Sequence, residues 1–194
     1  MIAFYAQSYY SLLRGVASPA AIPGLARENG YAGALLADRD SLAGAAEFFR
    51  AAEAAGIAAY AGVELTDRER RAALLVIRDR EGREAANALI SARNLDADFS
   101  LGAALGAAPP GLFVAAGDAG LARELASALP RDRLGVLLLR PAATATWERA
   151  QAEAARALDL PLLSLIHISE PTRLLSKSYA VFCVKKKNTH YNIS

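Results

Sequence analysis

Six short apolar runs, Ile2–Ala6, Ala32–Ala37, Ala58–Leu65, Ala72–Ile77, Gly111–Ala116 and Leu134–Leu139, punctuate residues 1–162, and amphipathic stretches fill most of the gaps. Strand-length apolar runs alternating with helix-length amphipathic ones point to an α/β fold with a mainly parallel sheet. Pro161–Leu162 opens a seventh strand. The helices expected between them are Pro19–Asn29 (Ser18 as N-cap, Gly30 at C′), Leu42–Ala55 (Ser41 as cap, Gly56 as stop), Gly82–Ala92, Ala119–Leu129 behind Asp118, and Thr146–Leu158. Leu101–Leu105 reads as a helical turn after Ser100. Pro23 would remove an intrahelical bond, so the first helix should start late or kink. Periodicity leaves an open doubly wound sheet and a barrel as alternatives. In both, function belongs at the C-terminal strand ends, here Tyr5–Arg14, Asp38–Asp40 and Glu64–Asp67, with Gly117–Asp118 and Arg140 as further candidates.

Composition changes abruptly after Leu162. Residues 1–162 hold 17 Arg, no Lys, His or Cys, and 19 acids, a net −2; the last 32 residues hold all four Lys, one Arg and one acid, a net +4. His167, His190 and Cys183 also lie in this tail. A lysine-free Ala/Arg/Gly-rich body implies GC-rich coding, and KKKNTHYNIS implies AT-rich coding. One Cys and two His exclude a disulfide framework and an all-His/Cys zinc site. No apolar run reaches the roughly 18 residues of a membrane span, and the start lacks a secretory signal, so a cytoplasmic protein without membrane contact is expected.

The tail has its own resemblance. LSLIHISEPTR (163–173) resembles a translated transposon-end adapter of sequencing libraries, and SYAVFCVKKK (178–187) resembles a flow-cell adapter followed by poly-A. The expected division is therefore a truncated natural domain, 1–162, and an adapter-like non-native tail, 163–194. Leu163–Ile168 is apolar and β-branched enough to prolong the seventh strand, whereas Thr172–Ser194 is expected outside the core, poorly ordered or in an arbitrary helix or strand. The missing closing segment should leave an open edge and an aggregation-prone chain.

In the body, SYYSLLRGVASP (8–19), LLADRDSLAGAAEFFRAAEAAGI (35–57), GVEL (62–65) and LLVIRDREGREAANALIS (74–91) resemble the N-terminal PHP domain of the bacterial DNA polymerase III alpha subunit. The LRG and DRDSLAG forms resemble its error-prone, translesion branch. This resemblance implies a distorted (β/α)7 barrel, incomplete here at its C-terminal end. It also implies palm, fingers and thumb domains of the same polymerase as partners, DNA contact through that parent protein, and Mg²⁺ only in the absent polymerase domain.

An active PHP site holds metal ions on His and carboxylate ligands and cleaves phosphoesters. In this sequence Tyr5-Ala6-Gln7 replaces the H-x-H motif, Arg14 replaces an acid, and Arg39 replaces the imidazole between Asp38 and Asp40. Only Asp38, Asp40 and Glu64 remain as weak candidate metal ligands. The expectation is a degenerate site in which Arg14 and Arg39 pair with those three carboxylates, with no catalytic residue, no metal and no cofactor. The fragment would then be inactive and structural, although its parent is a DNA-directed DNA polymerase, a nucleotidyltransferase of replication and repair. The alternative is an active metal-dependent phosphoesterase or 3′–5′ exonuclease. A free-standing sugar-phosphate or amidohydrolase-like barrel would need catalytic residues that do not appear. Ser8 and Ser11 lack a His partner, and Gly102-x-x-x-Gly106 lacks the Lys-Ser/Thr of a phosphate loop. Asp67–Arg71 reads as a solvated turn, and Phe48, Phe49 and Trp147 as packing residues.

Overall fold

The computed structural model describes residues 2–140, 144–168 and 179–184. Strands β1 (Ile2–Ala6), β2 (Gly33–Arg39), β3 (Ala58–Thr66), β4 (Ala72–Ile77), β5 (Leu112–Ala116), β6 (Leu134–Arg140), β7 (Leu162–Ile168) and β8 (Tyr179–Val184) pair in sequence order into a ring. Helices α1 (Ala21–Glu28), α2 (Ala45–Ala55), α3 (Arg80–Leu95), α4 (Leu101–Gly106), α5 (Ala119–Ala126) and α6 (Ala145–Ala157) connect them. The fold is thus the α/β barrel of the expectation.

Two features depart from the sequence reading. The sheet is mixed, not mainly parallel: β1–β2, β2–β3, β5–β6 and β6–β7 are parallel, and β3–β4, β4–β5, β7–β8 and β8–β1 antiparallel. Asp67–Arg71 is too short for the crossover a parallel pair requires, so β4 must run back against β3. The second departure lies in the tail. Strands β1–β7 form the incomplete, curled barrel, and Tyr179–Val184, for which an arbitrary strand was one expectation, closes the edge expected to stay open: Ile2 pairs with Cys183 and Leu163 with Val184. YAVFCV is aromatic and β-branched, and two edges of unpaired N–H and C=O groups stand ready to receive it. The remainder of Thr172–Ser194 lies outside the described residues.

Side-chain alternation divides the molecule into three apolar clusters. Tyr5, Leu35, Ala37, Leu74, Ala115, Leu137 and Leu163 fill the barrel interior. Intervening strand residues face outward: Ala34 and Leu36 meet Ile22, Ala26 and Phe48 of α1 and α2, and Val63, Leu65, Leu75, Val114 and Val136 meet the α3–α6 side. Phe48 is fully buried and Phe49 exposed.

Local chemistry explains the helix ends. Asp118 and Asp79 accept the N–H groups of Leu121 and Gly82, and Thr144 accepts that of Trp147. Helix α1 begins at Ala21, so Pro23 falls in the first turn, where no intrahelical N–H partner is lost. Ser18 and Ser41 instead accept from Ala21 and Ala43, and α2 starts only after Gly44. Among the described residues no helix is long and apolar enough to cross a membrane.

Candidate functional site

At the C-terminal rim, strand alternation separates the three carboxylates expected to share a pocket. Glu64 is in phase with the inward-facing Tyr60, whereas Asp38 follows the inward-facing Ala37 and points outward beneath the loop after β1. Asp40 lies just beyond β2 at φ 49°, its backbone N–H on the Glu64 carbonyl.

Each carboxylate has its own donors. Asp38 is 1% exposed; its Oδ1 accepts the Ser8 N–H at 2.6 Å and the Ser11 hydroxyl at 2.7 Å, and its Oδ2 accepts the Ser8 hydroxyl at 2.7 Å. Glu64 accepts Gln7 Nε2 and Arg14 Nη1, both at 3.0 Å, on separate oxygens. Asp40 accepts the Thr66 N–H and hydroxyl at 2.8 Å, and Arg93 Nη2 stands 3.3 Å from its Oδ2.

The expected charge pairing is therefore half right. Arg14 does neutralise Glu64. Arg39 reaches neither Asp38 nor Glu64; its Nε is 3.9 Å from Asp40, a loose contact by a partly exposed side chain. The second neutralising cation is Arg93, near the end of α3, which sequence reasoning missed because that helix signals only amphipathicity. Sequence reasoning also dismissed Ser8 and Ser11 for want of a histidine, yet they saturate a buried carboxylate with neutral donors. Short hydroxyl side chains just after an apolar strand were the signal available. Asp118 is a helix cap, and Arg140 ends β6 paired with Ile166.

Tyr5 completes the inward side of the mouth. Burial, and after it the Glu64 carboxylate, push its phenol well above the ordinary range, while Arg14 opposes the shift. The phenol is thus a neutral group beside the Gln7–Glu64–Arg14 chain. Among the described residues no three His, Cys, Asp or Glu side chains gather into a set that could hold a metal ion.

The loop between Ser8 and Ala17 is rigidly made. Ser8 and Ala17 form a β-bridge, Gly15 N–H bonds to the Ser11 carbonyl, and a Cβ on Gly15 would lie 1.9 Å from the Ser8 carbonyl oxygen. Its anchored serines face inward, and Leu12, Leu13 and Val16 face solvent.

No curated protein sequence matches the chain. Among solved structures it resembles a chain described as a candidate metal-dependent phosphoesterase from Bifidobacterium adolescentis. That likeness has a TM-score of 0.55 and 17% identity, over 90% of this chain and 91% of the other, and shows the fold. The PHP domain matches residues 5–110, more than half of the sequence and the part that carries Tyr5, Asp38, Asp40, Glu64 and Arg93, and the chain therefore belongs to the PHP domain family.

Proposed function

We infer that this chain is the N-terminal PHP module of a DNA polymerase III alpha-type polymerase, of the error-prone translesion branch, with a structural role and no metal centre of its own. The observation that carries the loss of the metal is the occupancy of the carboxylates: hydroxyls and an N–H on Asp38, an amide and a guanidinium on Glu64, Thr66 and Arg93 on Asp40. These residues do not fit the family's cations, because guanidinium groups stand where positive ions would bind. The polymerase context rests on the phrases SYYSLLRG and DRDSLAG. In this reading the protein is cytoplasmic, it meets DNA through its parent polymerase, and palm, fingers and thumb domains are its partners. The alternative, an active phosphoesterase or exonuclease, would need imidazole ligands that residues 1–162 do not contain.

Residues 163–194 are read as adapter-derived; strand propensity alone suffices to pair Leu163–Ile168 and Tyr179–Val184. Two measurements test the reading. Elemental analysis of the purified chain is expected to find no stoichiometric zinc or manganese, and about one tightly held ion per chain would overturn the metal-free site. Sequencing the genomic locus should show divergence after codon 162, first into the segment that closes the barrel and, further downstream, into a palm domain with paired aspartates. A locus that reproduces residues 163–194 and then stops would overturn the polymerase assignment.

A further inference from the structure

A cavity of about 170 Å³ opens outside the barrel rim, lined by Asp67, Arg68, Arg93, Asn94 and Phe99. It lies between the β3–β4 turn and the C-terminal end of α3, away from the Gln7–Glu64–Arg14 chain. Hydrogen-bond accounting defines what it can take. Every side-chain acceptor on its wall is engaged internally. Asp67 Oδ1 accepts the Arg71 N–H and its Oδ2 accepts Arg71 Nε, both at 2.9 Å, and Asn94 Oδ1 accepts Arg93 Nη1 at 3.2 Å.

The donors are in surplus. Arg68 is exposed and has no hydrogen-bond or ion-pair partner among the described residues, which leaves five N–H groups. Asn94 Nδ2 has none either, and Arg93 Nη1 keeps a second hydrogen. Arg93 is held in place from behind: its Nε donates to the Thr66 carbonyl, and its Nη2 meets Thr66 Oγ1 and Asp40. Thus a fixed guanidinium edge, an amide and a free guanidinium line one small cavity, and its one carboxylate, Asp67, is neutralised by Arg71.

We propose that this cavity binds a phosphate oxyanion, with Arg68 as the principal clamp and Arg93 and Asn94 as the fixed wall. A tetrahedral oxyanion supplies acceptors in all directions and suits the bidentate fork of arginine. Size agrees. The volume of about 170 Å³ is well above the roughly 10–15 Å³ that a single water needs on this measure, so the cavity has room for a group of several heavy atoms such as a phosphate. The buried Phe99 adds an apolar ring to the lining.

The source of that phosphate is either a free phosphate or a phosphodiester backbone, and the test separates the two. The full chain is titrated calorimetrically with sodium phosphate, against sodium chloride of equal ionic strength, and separately with a short oligothymidylate. Saturable one-to-one binding is expected, weakened at least about tenfold by Arg68→Ala. Arg70→Asn, a neighbouring exposed position at φ 67° where Asn is tolerated, should leave binding unchanged. Arg68→Ala should also melt as the parent chain does, since Arg68 makes no hydrogen bond or ion pair among the described residues. Oligothymidylate that competes with phosphate at the Arg68-dependent site identifies backbone phosphate; phosphate binding alone identifies the free ion. Absence of saturable binding in both titrations, or equal losses from Arg68→Ala and Arg70→Asn, overturns the proposal.

Discussion

Asp38 keeps its carboxylate in the interior with no cation on it among the described residues, relying on two hydroxyls and one backbone N–H. Removing it strands all three donors, so Asp38→Ala should cost roughly 3 kcal/mol or more in urea denaturation, and Asp38→Asn, which keeps one acceptor oxygen, distinctly less. Arg39→Ala breaks only the loose contact with Asp40 and should cost under about 1 kcal/mol. If Arg39→Ala were as damaging as Asp38→Ala, the allocation of partners at the rim would be wrong. Tyr5 gives a pH signature. Below about pH 10 the phenol is protonated in both states and its contribution to stability is fully present. Above that value the unfolded chain releases the proton while the fold, with its raised pKa, retains it, so stability falls by up to about 1.4 kcal/mol per pH unit. Tyr5→Phe should flatten that fall between about pH 10 and 11; parallel curves for the two proteins would count against the buried phenol. The positions Asp38, Asp40 and Glu64 were legible as strand ends, but their partners were not. Which face each carboxylate presents depends on the phase of alternation around the ring, and Arg93 reaches Asp40 from 53 residues away in the chain.

Among the elements, those governed by local chemistry were the readable ones. Asp118 caps α5, and Gly56, at φ 67°, ends α2 in the left-handed conformation expected of a C-terminal glycine. The direction of β4 follows from the length of one turn, yet a global pattern of alternating runs concealed it. The Ser8–Ala17 loop could not be read from pattern at all, because its conformation depends on Asp38 beneath it. In this loop Leu13 adopts φ 64° and is fully exposed, which strains a branched side chain without burying it. Leu13→Gly should therefore raise stability by about 0.5–1 kcal/mol. Gly15→Ala would force a Cβ onto the Ser8 carbonyl and should cost about 2 kcal/mol or more. Chemical denaturation of both variants checks the pair; a neutral Gly15→Ala would mean that the loop does not hold this conformation in solution.

For the molecule as a whole, the decisive feature is that one short strand joins two edges distant in sequence. β8 runs antiparallel to both β1 and β7, which otherwise face each other across a gap with their backbone groups unpaired. Composition foretold that Leu163–Ile168 would prolong the sheet. It did not foretell closure, because the register of a terminal strand is set by the edges that receive it and not by its own residues. Deleting residues 169–194 should restore the open barrel. Exposed edges of this kind recruit strands from other chains, so the shortened protein is expected to self-associate in sedimentation velocity at concentrations where the full chain does not. It should also melt earlier, because the ladders on both sides of β8 are lost together. A shortened chain that stays monomeric and melts with the full one would show that Tyr179–Val184 contributes nothing to closure, and that β1–β7 are stable as an open sheet.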